Sequence, residues 1–400
     1  MPTKTSRLYE FPLEALPSPF RFVALLLLAL SITGCRTGLT PLPNQESRTY
    51  ASLLHWAADN GTPGSVLIVN TPTTNFAAAI GIADRHTGVP MQTNNSFRIA
   101  SIAKSFVGIA AAQAVAEGKL DLDKPITQYL PPDITDHITN SGQITTRHLL
   151  RHTSGVYDFE RSISHTLRRY LTDRRGKWTP ERDLRYAYDK ASDFAPGTAW
   201  RYSTSGYILV AMILDRIYGR DHSLDIRDRI LTPLGLSSTF CELTEPGRGS
   251  LARGYENWWG LWWTDVTDWA PMTGAMVSTA PELARFIRAV VRNDEFLDPK
   301  TRSVVWGNRD KGELRYDFGI SLSRPNDNAP WFFGHTGAAA GYLSFAYHEP
   351  EHDITIVYLA NTSHMKARGL GRRRQEFTDK LSSALFDLSL KSRFPKDQSH

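Results

Sequence analysis

Strand-like sequences stand at both ends of the globular part of this 400-residue chain, and helix-like sequences fill the middle. Apolar runs bounded by turn residues are typical of strands. Five occur: GSVLIVN at 64–70, NFAAAIGIAD at 75–84, WFFGHTG at 331–337, GYLSFAYHEP at 341–350 and HDITIVYLAN at 352–361. The EPEHD segment between the last two predicts a hairpin. We expect an α+β fold in which an antiparallel sheet, flanked by helices, is built from both termini, with a helical subdomain inserted at roughly 105–270.

Other segments carry apolar residues at the spacing of a helix. They are ESRTYASLLHWAAD at 46–59, SGYILVAMILDRIYG at 205–219, TAPELARFIRAVV at 279–291 and RQEFTDKLSSALFDLSL at 374–390. Gly219 is placed as the C-terminal stop of the second helix. A cleft between the sheet and the inserted helices is the natural place for a site.

An N-terminal leader precedes the globular part. The run FVALLLLALSI at 22–32 has the length of a signal-peptide core and follows Arg21. The residues ITGC that end at Cys35 resemble a bacterial lipobox, in which the cysteine is lipidated. An ordinary secretory signal and an uncleaved anchor are the alternatives. With Cys35 lipidated, Cys241 has no intramolecular partner and is expected to be a buried free thiol.

The predicted organisation has four parts: a lipoprotein signal peptide at 1–34, a tether at 35–47, a catalytic domain at 48–391 and a tail at 392–400. The predicted location is therefore outside the cytoplasm, with the lipid anchor holding the protein to a membrane at the periplasmic face or in the outer membrane.

The charge of the chain restricts its partners. The net charge of +5 and the basic cluster KARGLGRRR at 366–374 favour anionic surroundings such as lipid head groups or cell-wall polymers. No module that reads nucleic acid is present in the sequence, so we expect no nucleic-acid partner. A composition of 41% hydrophobic and 22% charged residues is that of a globular protein.

The segment FRIASIAKSF at 97–106 places Ser101 and Lys104 three residues apart, on one face of a helix. Apolar neighbours predict that this segment is buried, and burial disfavours the charged form of a lysine, as suits a general base. The spacing alone is weak support, because it recurs at Ser363 and Lys366. We interpret that second pair as a chance occurrence on the surface.

The wider pattern resembles the penicillin-recognising serine hydrolases, which include serine D-Ala-D-Ala carboxypeptidases, class C β-lactamases and related esterases. Their order is Ser-x-x-Lys, Tyr-x-Asn and then Lys-Thr-Gly or His-Thr-Gly. The matching segments lie between about 51 and 390: GIADRHTGVPM, FRIASIAKSF, LLRHTSGV, PGTAWRYSTSGYILVAMIL, RILTPLGLSSTF, STAPELARFI and FGHTGAAAGYLSFAYHEP.

The resemblance implies a role for each matching residue. Ser101 is the nucleophile, and Lys104, Tyr202 or both move its proton. Thr204 stands where the family has asparagine. His335, Thr336 and Gly337 face the substrate, and the backbone N–H groups of Ser101 and Ala338 form the oxyanion hole. The resemblance implies no metal or cofactor.

Two literal matches are rejected because of their context. Tyr255-Glu256-Asn257 fits Tyr-x-Asn, but Tyr202 lies between the PGTAW and SGYILV segments, where the family has its tyrosine. His86-Thr87-Gly88 fits His-Thr-Gly, but it precedes the serine and lies in a predicted turn.

Two further features of the sequence can each be interpreted in two ways. His148 and His152 fit either a pair of metal ligands or a helix that ends in a turn. The tryptophan-rich segment at 257–269 fits either a packed hairpin or a wall of the cleft that stacks on substrate.

The implied function is a cell-envelope serine hydrolase that forms an acyl-enzyme with a small peptide, amide or ester, with cell-wall-derived molecules among the candidate substrates. D,D-carboxypeptidase or esterase activity is expected rather than efficient β-lactamase activity. The alternative is a non-catalytic envelope lipoprotein that uses the same fold as a binding module.

Overall fold

The computed structural model describes residues 45–363 and residue 383, except 177, 259–261, 269–274, 293–295, 308–314 and 325–328. The predicted leader, Cys35, nearly all of the tether, the basic cluster and the C-terminal helix lie outside the described residues. Within them, none of the helices combines the length and the apolar character that crossing a bilayer requires.

The helices range from single turns of four or five residues to helices of thirteen to fifteen residues. They are α1 Gln45–Asp59, α2 Ala103–Ala116, α3 Pro132–Thr135, α4 Thr146–Leu150, α5 Ile163–Leu167, α6 Pro180–Leu184, α7 Thr204–Tyr218, α8 His222–Ile226, α9 Ala280–Arg292 and α10 Pro299–Trp306. A 3₁₀ turn at Ala100–Ile102 leads directly into α2.

The long strands lie near the two ends of the described chain, and the strands between them have two to four residues. They are β1 Gly64–Asn70, β2 Asn75–Asp84, β3 Val89–Pro90, β4 Ser96–Arg98, β5 Phe240–Cys241, β6 Tyr255–Trp258, β7 Trp262–Asp265, β8 Met276–Thr279, β9 Tyr316–Asp317, β10 Ile320–Ser323, β11 Phe332–Ala339, β12 Tyr342–Glu349 and β13 Ile354–Ala360.

The main sheet has eight strands in the order β3-β2-β1-β13-β12-β11-β10-β9. All of its pairs are antiparallel, and β1 pairs with β13 so that Val66 lies opposite Leu359. The sheet thus joins the two ends of the folded chain, and the predicted α+β fold is confirmed.

Helices cover this sheet. α1 packs on β1 and β2, while α9 packs on β12 and β13. Every residue of β12 and of β13 is buried. This explains why these strands lack the polar alternation of a half-exposed sheet and read instead as continuous apolar runs.

Between β4 and β8 the chain is mainly helical, with β5 and the β6–β7 hairpin as the strands described there. α2 and α7 are the core of this region and contact each other. Ser203 caps the N-terminus of α7, and Gly219 ends that helix in the left-handed conformation with a φ of 68°.

Two predictions about single side chains need correction. Ser363 is not on the surface: it is buried and donates to the carboxylate of Glu256 at 2.5 Å. Cys241, among the described residues, is a free thiol as expected, but it is only half-buried, because β5 is a two-residue strand at the margin of the core. The tryptophan-rich segment forms the β6–β7 hairpin, where the ring of Trp263 lies 5.3 Å from the guanidinium carbon of Arg85.

Candidate active site

The backbone around Ser101 is fixed from two sides. The amide of Ile99 donates to the carbonyl of Met276 in β8 at 3.0 Å, and the carbonyl of Ile99 accepts from the hydroxyl of Ser344 in β12 at 2.8 Å. Ala100, between Ile99 and Ser101, has a φ of 49°. Positive φ is unfavourable for alanine and is found mainly where the surrounding structure imposes it, often at functional sites.

Lys104 lies one turn after Ser101, at the start of α2. Its Nζ donates to the Oγ of Ser101 at 3.1 Å, and its side chain is buried. The 3₁₀ turn and the first turn of α2 therefore bring the predicted nucleophile and lysine into direct contact, as the spacing indicated.

Gly337 allows β11 to approach the Ser101 turn closely. A Cβ atom on Gly337 would overlap the carbonyl oxygen of Ile99 and the hydroxyl of Ser344, and would lie 3.1 Å from the amide nitrogen of Ser101. The glycine of His335-Thr336-Gly337 is thus required by close backbone contact. Ala338, the next residue of β11, is half-buried.

The N-terminus of α7 supplies Tyr202 and Thr204. The ring centroid of Tyr202 lies 5.0 Å from the Nζ of Lys104. The Tyr202 hydroxyl and the Oγ1 of Thr204 are both buried, and neither makes a hydrogen bond of good geometry within the described residues. Lys104 and Thr204 therefore line the same small space, and the ring of Tyr202 faces Lys104.

The charge on Lys104 differs from the sequence expectation. Burial alone would lower the pKa of Lys104, but electrostatic attraction from Tyr202, Glu160 and Asp158 outweighs burial and raises it. Lys104 is therefore a protonated ammonium at neutral pH. Burial does disfavour the charged form, as expected, but the expected net lowering of the pKa was wrong, because it left out the groups that tertiary folding brings close.

His335 projects from β11 into the same site. Its Nε2 lies 3.0 Å from the hydroxyl of Tyr316, and its Nδ1 contacts the carbonyl of Thr336. A neutral ring with its proton on Nδ1 satisfies both contacts, because the Tyr316 hydroxyl then donates to Nε2. Burial, together with the charge of Lys104, lowers the pKa of His335 to about 4. His335 is therefore uncharged at neutral pH. Thr336 is half-buried.

His152 is a site residue whose role the sequence did not reveal. It is buried, its Nδ1 accepts from the amide of Ser203 at 3.2 Å, and its ring packs 4.3 Å from Tyr202 and 4.4 Å from Tyr316. Burial lowers its pKa well below 6.5. The LLRHTSGV segment marked this region, but nothing in it indicated which way the ring would turn.

His148 and His152 are not a pair of metal ligands. The Nδ1 of His148 accepts from the amide of Thr145 at 3.3 Å in a capping box at the start of α4. In the part of the chain that is described, neither histidine belongs to a cluster of residues placed to hold a metal ion. The alternative interpretation, a short helix that ends in a turn, is the one observed.

Asp158 is a second residue that sequence reasoning missed. It is buried, it lies close enough to Lys104 for each group to influence the pKa of the other, and its Oδ1 accepts from the amide of Glu160 at 3.3 Å. Burial and the charge of Glu160 raise the pKa of Asp158 to about 6. After Tyr202 and Glu160, it is a third group that raises the pKa of Lys104.

The rejected motif copies have partners of their own. The hydroxyl of Tyr255 accepts from the amide of Arg85 at 2.7 Å. His86 lies in an exposed turn, 3.3 Å from the carboxylate of Asp265. Both side chains therefore contact residues other than Ser101 and Lys104.

A serine held by a buried lysine, with a tyrosine and a β-strand packed against the pair, is the arrangement of a serine hydrolase. The chain matches the Beta-lactamase family over residues 54–379. It therefore belongs to the β-lactamase family of serine hydrolases, as the sequence resemblance indicated.

Three proteins illustrate this relationship. Esterase EstB of Burkholderia gladioli is 32% identical over 188 residues, which cover 43% of this chain and 45% of the esterase. Penicillin-binding protein 4 of Amycolatopsis lactamdurans is 26% identical over 338 residues, or 76% of this chain and 82% of that protein. The crystal structure of D-amino acid amidase from Ochrobactrum anthropi SV3 in complex with L-phenylalanine amide has a TM-score of 0.73 and 25% identity, and covers 88% of this chain and 100% of the amidase.

Proposed function

We propose that the protein is a cell-envelope hydrolase that forms an acyl-enzyme at Ser101 with a small ester, amide or peptide. Its activity is D,D-carboxypeptidase- or esterase-like rather than that of an efficient β-lactamase. The contact of 3.1 Å between Lys104 Nζ and Ser101 Oγ carries the proposal. The similarity to an esterase, a penicillin-binding protein and an amidase agrees with ester and amide substrates.

The charge of Lys104 assigns the proton steps. A protonated Lys104 has no lone pair with which to take the Ser101 proton, so we assign Tyr202 as the acceptor. Ser101 Oγ then bonds to the substrate carbonyl carbon, and the proton on Tyr202 passes to the leaving oxygen or nitrogen as that group departs. In the second half of the cycle, water bonds to the acyl carbon and gives a proton to Tyr202. The bond between that carbon and Ser101 Oγ then breaks, the acid leaves, and Tyr202 returns the proton to Ser101 Oγ.

The backbone around Gly337 supports the oxyanion role. The carbonyl oxygen becomes negatively charged during attack and needs donors held in advance. Gly337 lets β11 lie against the Ser101 amide, and the second donor that we assign, the amide of Ala338, is the next one along this strand. Removing one such donor typically lowers kcat by about 10²–10³-fold.

Thr204 supports the preference against β-lactams. Asparagine offers both a donor and an acceptor at this position in the family, whereas threonine offers one hydroxyl. The Oγ1 of Thr204 is buried and has no partner among the described residues, so it does not anchor Lys104 in place of an asparagine. We therefore expect penicillins to acylate Ser101 slowly and simple esters to be hydrolysed.

The experiment is an intact-mass assay with p-nitrophenyl acetate, a D-alanyl-D-alanine peptide and a penicillin. Ser101→Ala should abolish both acylation and turnover while its melting temperature stays close to that of the wild type. Ser52→Ala, an exposed serine on α1, is the matched control. A folded wild-type protein that none of these reagents labels would favour the binding-module alternative.

The envelope location is tested separately at Cys35. Cys35→Ser should move the protein from the membrane pellet to the soluble fraction, because the proposed attachment is the lipid on that cysteine. A variant that still pellets in high salt would place the attachment elsewhere.

A further inference from the structure

A cavity of about 230 Å³ lies beside the catalytic site, between α2, α7 and α8. A smaller space of about 40 Å³ contacts Lys104 and Thr204. The two spaces share five lining residues: Ala103, Val107, Pro180, Ala211 and His222. They therefore adjoin, and together they run from the catalytic lysine to the far end of α7.

The near end of this space contains a polar group that points to a ligand. Thr204 is 2% exposed, it lines the smaller space, and its Oγ1 has no partner among the described residues. A buried hydroxyl without a partner is costly, so a bound molecule that bonds to it gains affinity. This end is also where an acyl group attached to Ser101 would begin, since Lys104 contacts both Ser101 and the space.

The middle of the cavity is apolar. Val107, Ala211, Met212, Trp178 and Met276 form its walls. For comparison, an engineered apolar cavity of about 150 Å³ stays free of water and binds benzene. The walls and size of this cavity therefore fit a hydrocarbon chain.

The far end is acidic. Glu181, Asp215, Asp221 and Glu245 line the cavity, and His222 is the one basic side chain among the described lining residues. Asp215 is paired with His222 at 3.0 Å and Glu245 with Arg227 at 2.7 Å. Asp221 caps α8 by accepting from the amide and the hydroxyl of Ser223, and its carboxylate lies 3.9 Å from His222. Neither contact with Ser223 removes its charge, so the exposed carboxylates of Asp221 and Glu181 together set a negative potential at this end.

The distance along α7 between the two ends of the cavity sets the length of a ligand that spans it. Asp215, whose carboxylate lies within 4.8 Å of the ligand atoms of Asp221 and His222, is eleven residues after Thr204. A helix rises 1.5 Å per residue, so the two ends lie about 16 Å apart. An extended chain covers about 3.5 Å with every three backbone atoms, so roughly 12 to 14 atoms span this distance.

We infer that this cavity is the acyl pocket of the enzyme and that it selects acyl donors with a long apolar chain ending in an amine. The chain lies between α2 and α7, and the ammonium group lies near Asp221 and Glu181. The inference rests on the proposed acyl-enzyme at Ser101. It adds a specificity site that involves neither the nucleophile nor the proton-transfer groups.

The test compares p-nitrophenyl esters of acetate, dodecanoate and 12-aminododecanoate below their aggregation limits. We expect kcat/KM to rise at least tenfold from acetate to dodecanoate, and about tenfold again with the terminal amine. In Glu181→Gln/Asp221→Asn the gain from the amine should disappear while the dodecanoate value stays the same. Asparagine is also a good N-cap, so residue 221 should still cap α8 in this variant.

Ala211→Leu tests the path between the two spaces. It should lower kcat/KM at least tenfold for the two long esters and less than twofold for acetate. The larger side chain of Ala211→Leu can itself destabilise the packed core. A second measurement therefore tests the pocket without this variant. In Ser101→Ala, 12-aminododecanoate should slow the alkylation of Cys241, which lines the cavity, while acetate should not.

The outcomes separate the two proposals. Hydrolysis of acetate with no gain for longer chains, or no protection of Cys241, would overturn the acyl pocket and leave the serine hydrolase intact. If kcat/KM rises with chain length but is the same for the dodecanoate and 12-aminododecanoate esters, the proposed role of the carboxylates is wrong. If even acetate fails to acylate Ser101, the proposed function itself is wrong.

Discussion

The ring of His152 accepts a hydrogen bond from the backbone amide of Ser203, which ties the loop after α4 to the first turn of α7. The bond fixes the residue that follows Tyr202, and the same ring packs against Tyr202 itself. His152 is thus a positioning residue for Tyr202. The backbone of His152 itself has a φ of 59°, which asparagine tolerates better than most residues do.

The first prediction compares two substitutions at this position. His152→Ala should lower kcat for p-nitrophenyl acetate by about 10²-fold, because small misplacements of catalytic groups have effects of this size. His152→Asn keeps a short acceptor and tolerates the positive φ, so it should recover part of the loss. KM should change little in either variant. Equal activity in both variants and the wild type would contradict the positioning role.

The second prediction concerns Gly337. Gly337→Ala should lower kcat by about 10²–10³-fold, because the new methyl group forces β11 away from the amide of Ser101. Gly142→Ala is the matched control, since a Cβ at Gly142 meets no atom within 4 Å. Steady-state kinetics with p-nitrophenyl acetate measure both. Full activity in Gly337→Ala would show that the close approach of β11 is not required.

The third prediction is a pH dependence of stability. A histidine with a depressed pKa binds its proton less readily when folded than when unfolded. The stability that His335 contributes is therefore complete above pH 6.5, its unfolded pKa, and is lost as the pH falls from 6.5 towards its folded pKa of about 4. A shift of this size corresponds to about 3 kcal/mol.

Urea denaturation from pH 7.5 to 4.5 measures this effect. His335→Gln should show a smaller loss of unfolding free energy over that window than the wild type. His86→Gln, at an exposed turn, should keep the wild-type slope.

Because His335 is neutral above pH 5, the pH–rate profiles for a neutral ester and for a carboxylate-bearing peptide should coincide there. A stronger fall for the peptide as pH rises would mean that His335 binds its carboxylate as a cation.

The fourth prediction concerns Thr204. Thr204→Asn should raise the rate of acylation by penicillin by roughly 5- to 150-fold, the effect of one buried hydrogen bond of about 1–3 kcal/mol, and should raise ester hydrolysis less. Thr204→Val removes only the hydroxyl. Because Oγ1 has no partner among the described residues, Thr204→Val should change acetate hydrolysis by less than threefold. An asparagine variant with unchanged selectivity would contradict this account.

Local patterns in the sequence predicted the skeleton of the fold. The runs around Val66 and Leu359 are apolar, short and bounded by turns, so their strands could be assigned without knowing their partners. The contact between Ser101 and Lys104 is also local, because it depends on one helical turn.

Properties that depend on distant residues could not be predicted in this way. The pKa of Lys104 depends on Tyr202, Glu160 and Asp158, all more than fifty residues away in the sequence, and its direction was therefore mistaken. The burial of Ser363 depends on Glu256 in the hairpin, and the orientation of His152 depends on the amide of Ser203. In each case the deciding partner is brought close only by tertiary folding.

The pairing of β1 with β13 also constrains how the chain folds as it is made. Ser65 lies opposite Ala360, so this ladder closes a loop of nearly three hundred residues. During synthesis, β1 and β2 leave the ribosome first and must wait without their neighbour β13 until almost all of the described chain has emerged. Such non-local pairing slows folding and leaves strand edges open in the meantime. Nascent chains that stop before residue 354 should therefore depend on chaperones, and they should contain Ser101 and Lys104 without a completed active site.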